Sequence, residues 1–196
     1  METHEALLEK WNAHRLTAQG FSEIFLKAWK STNALFFKYE AHQYYNQPDD
    51  PSFEALTEGK LYKAARLISE QIMADKHLYE SAKAHGVRLV RVHAIKLPLS
   101  YYLQYEFMSY LTSQRLGEEI RVVDLHKVKE IGIRDFLLFD DRFALVHNYV
   151  PPTNTQDGGW LVEDPTALDY LKQCRHVLTE RSATLDNLVI PGVPLP

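Results

Sequence analysis

The stretch that decides the fold is His85-Gly-Val-Arg-Leu-Val-Arg-Val-His-Ala-Ile95. Its β-branched residues predict a strand over Val87–Ile95, and Gly86 before it is typical of a helix C-cap because glycine readily adopts the left-handed conformation. The preceding residues 61–84 carry apolar side chains at helical spacing and predict a long helix. A helix, a glycine and an immediate strand form half of an α/β unit.

The same order recurs directly downstream of this stretch. Residues 101–115 predict a second helix, Gly117 follows it, and Glu119–Leu125 predict a second strand. Two successive copies of helix, glycine and strand indicate a mixed sheet flanked by helices. We therefore expect an α/β fold in a single domain.

The rest of the chain predicts further elements of the same domain. Residues 135–149 predict a β-hairpin that turns at Asp140-Asp141, and Asp164-Pro165 predicts a final helix to about Arg181. The aromatic segment Leu35–Tyr45 predicts a strand or a bent strand pair, and its role in core or interface stays open.

Upstream, residues 4–19 predict a helix ended by Gly20, and residues 22–30 predict a second short helix. We accordingly divide the chain into an N-terminal helical extension (1–31), an α/β domain (32–185) and a Pro-rich tail (186–196).

Composition restricts the classes of function. The chain has 196 residues, 45% of them hydrophobic and 24% charged, which are ordinary values for a globular domain. The formal net charge of -4 argues against direct binding to nucleic acid, which requires an excess of Lys and Arg. Cys174 is the one cysteine, and we find neither a secretion signal nor an apolar run long enough to span a membrane. These features predict a cytoplasmic protein.

Known catalytic motifs are missing from the sequence. Gly59-Lys60 lacks the other residues of a phosphate-binding loop, and no Gly-x-Ser-x-Gly sequence is present. The nine histidines are scattered without the spacing of a zinc site. We therefore expect no cofactor and no metal, and incline against an enzyme.

Three groups of polar residues remain as candidates. Arg91 and His93 lie two apart on one face of the predicted strand. They indicate either a salt-bridged or solvated strand end, or an anion or partner site at the carboxyl end of a strand, where open α/β sheets place ligands.

The second group is Tyr102 and Glu106, four apart on one helix, followed by Glu118, Glu119 and Arg121. Its alternative reading is structural, with a buried Glu–Arg pair fixing the helix against the strand.

The third group comprises the acidic hairpin residues with one cation and one histidine: Asp135, Asp140, Asp141, Arg142 and His147. Paired carboxylates can hold a divalent metal, and the alternative is a solvated turn.

Four runs carry a resemblance to a known family: Val90-Arg-Val-His93, Pro98-Leu-Ser-Tyr-Tyr-Leu-Gln-Tyr-Glu106, Gly117-Glu-Glu-Ile-Arg121 and Asp135-Phe-Leu-Leu-Phe-Asp-Asp-Arg142. Over about residues 32–180 the chain resembles a large uncharacterised bacterial family that has a Phe-Trp/Leu-Leu-Phe-Asp-Asp-Arg motif. Many members are encoded beside helix-turn-helix regulators. The resemblance implies a regulatory or toxin-antitoxin-like setting. The chain departs from that family at Gln104, where Arg is expected, and at His147-Asn-Tyr149, where His-Tyr-Asp is usual.

The layout also resembles one half of a phospholipase D-like fold. Phosphodiesterases of that superfamily require His-x-Lys, but His126-Lys-Val128 and His93-Ala-Ile-Lys96 both have a different spacing. A shift of one residue along a strand turns the lysine to the opposite face. The resemblance therefore favours a binding domain over a hydrolase.

We expect a non-enzymatic binding or regulatory module that acts through a protein partner, with a DNA-binding regulator or a toxin-antitoxin-like system as the setting. The alternatives are a phosphodiesterase or nuclease that uses His93 or His147 with the acidic hairpin, and a phage or mobile-element inhibitor that acts by surface mimicry. Ligand identity and oligomeric state, a homodimer included, stay open. The expected binding residues, which we predict to converge at one sheet edge, are Arg91, His93, Tyr102, Glu106, Arg121, Asp140, Asp141 and Arg142.

Overall fold

The computed structural model describes residues 2–185. Within that range the helices are α1 His4–Lys10, α2 Ala18–Ser31, α3 Pro51–Thr57, α4 Leu61–Ala74, α5 Lys76–Ala84, α6 Tyr101–Arg115 and α7 Pro165–Arg181. The strands are β1 His14–Leu16, β2 Leu35–Glu40, β3 Arg88–Ile95, β4 Glu119–Asp124, β5 Phe136–Phe139, β6 Phe143–Val150, β7 Thr155–Val162 and β8 Ala183–Thr184. No helix among these residues is long and apolar enough to cross a membrane.

The strands form one mixed sheet in the order β1-β7-β6-β5-β2-β3-β4-β8. Strands β2, β3 and β4 are parallel, and the other pairings are antiparallel. The parallel strands are joined by crossovers that contain α3–α5 and α6, as parallel pairing requires. The expected α/β fold with a mixed sheet in a single domain is confirmed.

Helices cover both faces of the sheet. One face packs on α1 and α7 and takes up Val90, Val92 and Ala94 of β3. The other face packs on α2 and on α3–α6. Because side chains alternate along a strand, Arg91 and His93 point toward this second face, where they are covered by helices and need polar partners.

The deciding stretch folds as predicted. Gly86 has φ 70° after α5, β3 begins at Arg88, and α6 has the predicted bounds. The hairpin of β5 and β6 is also confirmed, with Asp140 and Asp141 at φ 49° and 56°. Aspartate adopts this left-handed conformation more readily than most residues, which explains a tight turn without glycine.

The predicted helix over residues 4–19 is wrong. Helix α1 ends at Lys10, Asn12 has φ 47°, and β1 follows. The Thr17 hydroxyl then caps α2 by accepting from the amide of Gly20 at 3.1 Å. A threonine cap and the pairing of β1 with β7 outweigh the helical spacing of the apolar residues.

Two other boundaries differ from the predictions. The helix over residues 61–84 is divided at Asp75 into α4 and α5, and the aromatic strand ends at Glu40 instead of Tyr45. Asp75 interrupts the helix without accepting a cap hydrogen bond through its side chain. The predicted Pro-rich tail lies outside the described residues.

Candidate functional site: an aromatic cleft above a buried ion-pair network

A cleft of about 510 Å³ lies over the centre of the sheet, between α2 on one side and α4 and α5 on the other. Its aromatic wall consists of Phe21, Phe25, Trp29 and Phe36. The first three are spaced four apart on α2 and therefore share one helix face. The cleft thus combines an apolar, ring-lined interior with a floor formed by strands.

Close packing holds α2 against the sheet. A Cβ atom at Gly159 would lie 2.7 Å from the Phe21 ring, so Phe21 needs a glycine in β7 beneath it. Phe25 contacts Phe36 and Phe139 edge to face at centroid distances of 6.2 and 5.9 Å, and Trp29 contacts Phe36 at 5.3 Å. These ring contacts fix the aromatic wall in position.

Eight polar side chains line the cleft: Ser22, Lys38, Asp75, Tyr79, Arg91, Glu118, His147 and Gln156. Two of them are cations that pair with carboxylates. Lys38 Nζ lies 2.8 Å from Glu40 Oε1, and Arg91 lies 3.2 Å from Glu40 Oε2 and 2.9 Å from Glu118 Oε1. The two cations and two carboxylates balance in charge.

The ionisation of this network follows from its pairing. Burial alone would raise the pKa of Glu40, but Lys38 and Arg91 outweigh it and hold that pKa far below its usual range. Burial and the negative charge of Glu40 instead raise the pKa of Glu106. The Tyr102 hydroxyl donates to Glu106 Oε2 at 2.9 Å. Glu106 thus keeps its proton more readily than Glu40 does.

His93 belongs to the network but has no free nitrogen. It is fully buried, its Nε2 donates to the carbonyl of His42 at 2.9 Å, and its Nδ1 lies 2.6 Å from the Tyr110 hydroxyl. The Tyr110 hydroxyl also lies 3.1 Å from Glu40. His93 therefore braces the network beneath the cleft and is closed to a ligand.

His147 differs from every other polar residue of the cleft. Both ring nitrogens are shielded from solvent, and neither has a hydrogen-bond partner among residues 2–185. Burial and the nearby charge of Lys38 lower its pKa to about 4, so the ring is neutral at pH 7. Gln156 approaches the ring and raises that pKa slightly, but not in hydrogen-bonding geometry. Buried polar atoms without partners are rare and costly.

The eight expected binding residues do not form one group. Arg91, His93, Tyr102 and Glu106 come together below the cleft. Arg121 instead lies toward the α7 face, where it donates to the carbonyls of Thr179 and Ser182. Its salt bridge runs to Glu119 at 2.9 Å, so Arg121 does not pair with Glu106.

The hairpin residues also lie away from the cleft network. The Asp140 carboxylate accepts from the backbone amides of residues 33, 34 and 35 at 2.8–2.9 Å, and Arg142 pairs with it. Asp141 pairs with Arg175 of α7 at 2.8 Å. The expected convergence at one sheet edge is therefore wrong for Asp140, Asp141, Arg142 and Arg121, because each is used in a local structural contact.

Several residues of the cleft were missed by sequence reasoning. Lys38 and Glu40 alternate with Phe37 and Tyr39 in β2, and charges at alternate positions of a strand with both faces covered indicate a buried ion pair. That signal was available. By contrast, no local pattern places Gln156 beside α2, or assigns His147 to this cleft in place of the acidic hairpin group, because their approach depends on the register of β6 and β7.

No group of three or more His, Cys, Asp and Glu side chains in residues 2–185 is arranged to hold a metal ion.

Comparison with known proteins places the chain in a family. No curated protein matches the chain. A family model described as a domain of unknown function, DUF6879, matches residues 23–189. The chain belongs to the DUF6879 family.

Proposed function

We propose that this chain is a non-enzymatic binding domain whose cleft holds a small, uncharged molecule with a planar ring and a polar edge. The observation that carries the proposal is His147, which lines the cleft and whose two buried ring nitrogens have no hydrogen-bond partner among residues 2–185. A neutral imidazole offers one donor and one acceptor. A ligand that supplied the matching acceptor and donor would satisfy both.

The charge balance of the cleft favours an uncharged ligand. Lys38 and Arg91 are neutralised by Glu40 and Glu118, so an anion entering the cleft would lose its hydration without gaining an unpaired cation. The rings of the aromatic wall favour a flat apolar body through stacking and edge contacts. The volume of about 510 Å³ lies within the usual range of small-molecule sites.

The phosphodiesterase alternative finds little support in the geometry. A covalent nucleophile needs a free nitrogen, and His93 has both nitrogens occupied. Asp140 and Asp141 at the hairpin turn are held in backbone contacts and an ion pair. Hydrolysis of bis(p-nitrophenyl) phosphate by the pure protein, lost on His147→Ala, would restore this alternative and the phospholipase D-like relationship.

The regulatory role stays a prediction. We propose that ligand binding controls a cytoplasmic protein partner, with a DNA-binding regulator as the first candidate. An affinity pull-down from the source organism tests it: a stoichiometric DNA-binding protein supports the regulator, and a host defence protein would favour the inhibitor alternative. Addition of the cleft ligand should change the amount of partner retained.

The direct test of the cleft is to identify what it carries. The protein is purified from its source under non-denaturing conditions, and its mass is compared before and after denaturation. In parallel, Ser22→Trp places a large ring in the cleft from α2, and Lys27→Trp puts the same residue on an exposed position of that helix. We expect a small molecule with the wild type and Lys27→Trp, and none with Ser22→Trp. Equal retention by both variants would contradict the proposal.

A further inference from the structure

We infer a second site, for a small oxyanion, at the carboxyl ends of the parallel strands and centred on a buried His42–Asp135 pair. A cavity of about 770 Å³ opens there, and its lining includes His42, His126, Lys129 and Arg134. It shares no lining residue with the aromatic cleft. The inference therefore stands independently of the proposed function.

Asp135 holds His42 in a fixed orientation. Its side chain is 1% exposed and forms a short contact with Nδ1 of His42. Its other oxygen accepts from the amide of Ala41 at 3.0 Å and from the Tyr45 hydroxyl at 2.5 Å. Hydrogen bonds from His42 and Tyr45 outweigh burial and lower the pKa of Asp135. A carboxylate that binds Nδ1 keeps the proton on that nitrogen and leaves Nε2 available to a ligand.

The rest of the His42 ring is confined by aromatic side chains. Its centroid lies 4.7 Å from that of Tyr149 and 5.6 Å from that of Tyr45. The His42 side chain remains 20% exposed, and it lines the cavity. Among residues 2–185, its Nε2 atom has no hydrogen-bond partner. The ring is thus a preorganised polar group at the base of an open cavity.

Two cations without an ion pair among the described residues line the same cavity as this ring. Lys129 and Arg134 lie on the loop between β4 and β5, are exposed, and form no ion pair within residues 2–185. Of the two acidic residues in the lining, Glu2 pairs with Lys10 at 3.1 Å, which leaves Glu5 as the opposing charge. The arrangement contrasts with the aromatic cleft, where every cation is neutralised by a carboxylate.

An oxyanion matches these groups. The guanidinium of Arg134 can bind two oxygens at once, Lys129 supplies a further donor, and Nε2 of His42, with the proton held on Nδ1, can accept from a hydroxyl of the bound group. The carboxyl ends of parallel strands are also where open α/β sheets place ligands. A phosphate or carboxylate group on a small molecule therefore has the chemistry that this cavity would recognise.

The test is an amide-detected NMR titration with inorganic phosphate, and separately with acetate, at constant ionic strength and pH 6.5. We expect saturable shifts at Ala41, His42 and Gly132, and the tighter of the two anions identifies the group that is recognised. Because the Arg134 side chain is exposed, the Arg134→Gln variant should fold normally. The substitution should weaken anion binding about tenfold or more. Arg66→Gln on α4 is the matched control and should change nothing.

The result is decisive for this site alone. His42→Gln should also abolish saturation, with circular dichroism confirming the fold. Ser22→Trp in the aromatic cleft should leave anion binding unchanged, so failure of one proposal is separable from failure of the other. Unsaturable shifts with both anions, or an affinity unchanged in Arg134→Gln and His42→Gln, would overturn the inference.

Discussion

Replacing Arg91 by alanine should be costly because it leaves buried carboxylates without their counter-ion. Arg91 bridges Glu40 and Glu118, and these side chains are 8% and 4% exposed. Glu40 retains Lys38 at 2.8 Å after the substitution. Glu118 has no other ion pair among the described residues, so the loss falls mainly on that carboxylate.

The magnitude follows from the burial of the pair. Breaking a buried salt bridge by removing one partner costs about 3–5 kcal/mol. Because Lys38 still compensates Glu40, we expect the lower end of that range, about 3 kcal/mol for Arg91→Ala. For a chain of this length that corresponds to a fall in Tm of roughly 6–12 °C. Arg88 lies on the same strand, but its side chain is exposed in its pair with Glu119. Arg88→Ala should therefore cost less than about 1 kcal/mol.

Urea unfolding at pH 7 measures the free energy of unfolding of both variants. The double variant Arg91→Ala with Glu118→Gln removes the stranded charge and should recover about 1 kcal/mol or more of the loss. If Arg91→Ala is no more costly than Arg88→Ala, or if Glu118→Gln brings no recovery, the network is solvated and our account of the cleft floor is wrong.

Three further predictions concern individual side chains. His147 has a pKa of about 4 in the folded protein and near 6.5 when unfolded, so the unfolded chain binds more protons between these values. Stability should therefore fall as pH drops from 6.5 to 4, by at most about 3 kcal/mol, and His147→Gln should flatten that window in urea unfolding. Glu106 has a raised pKa, so its contribution is present at low pH and lost as pH rises above its unfolded value. Glu106→Gln keeps an acceptor for Tyr102 and should leave stability at pH 7 equal or higher by thermal unfolding, and a large loss would show that the carboxylate is required. Asp140→Ala removes the acceptor of three backbone amides and should cost about 2 kcal/mol or more by urea unfolding, whereas Asp169→Ala in an exposed pair should cost almost nothing.

Much of the fold could be predicted because the evidence for it is local. The strand over Val87–Ile95 and the helix over residues 101–115 follow from β-branched residues and apolar spacing. The N-terminal elements could not be predicted in the same way. Strand β1 exists because it pairs with β7, more than 140 residues away, and no spacing within residues 4–19 records that partner.

The candidate site was predictable only where one element defines it. The pairs Arg91 with His93 and Tyr102 with Glu106 each lie on one strand or helix, and they meet because β3 and α6 are adjacent. Arg121 lies between Ile120 and Val122 in β4, and those two side chains pack under α3–α6. Because side chains alternate along a strand, Arg121 points to the opposite face of the sheet, toward α7. Residues joined by tertiary packing alone, such as His42 with Asp135, leave no such local signal.

The central claim is that the cleft binds a planar, uncharged molecule at His147. Its most direct test is calorimetric titration with 2-naphthamide and 2-naphthoate, which share a ring system and differ in charge at the polar edge. We predict that the amide binds the wild type and Lys27→Trp, that the carboxylate binds at least tenfold more weakly, and that Ser22→Trp binds neither. Equal or tighter binding of the carboxylate, or amide binding that survives in Ser22→Trp, would contradict the account.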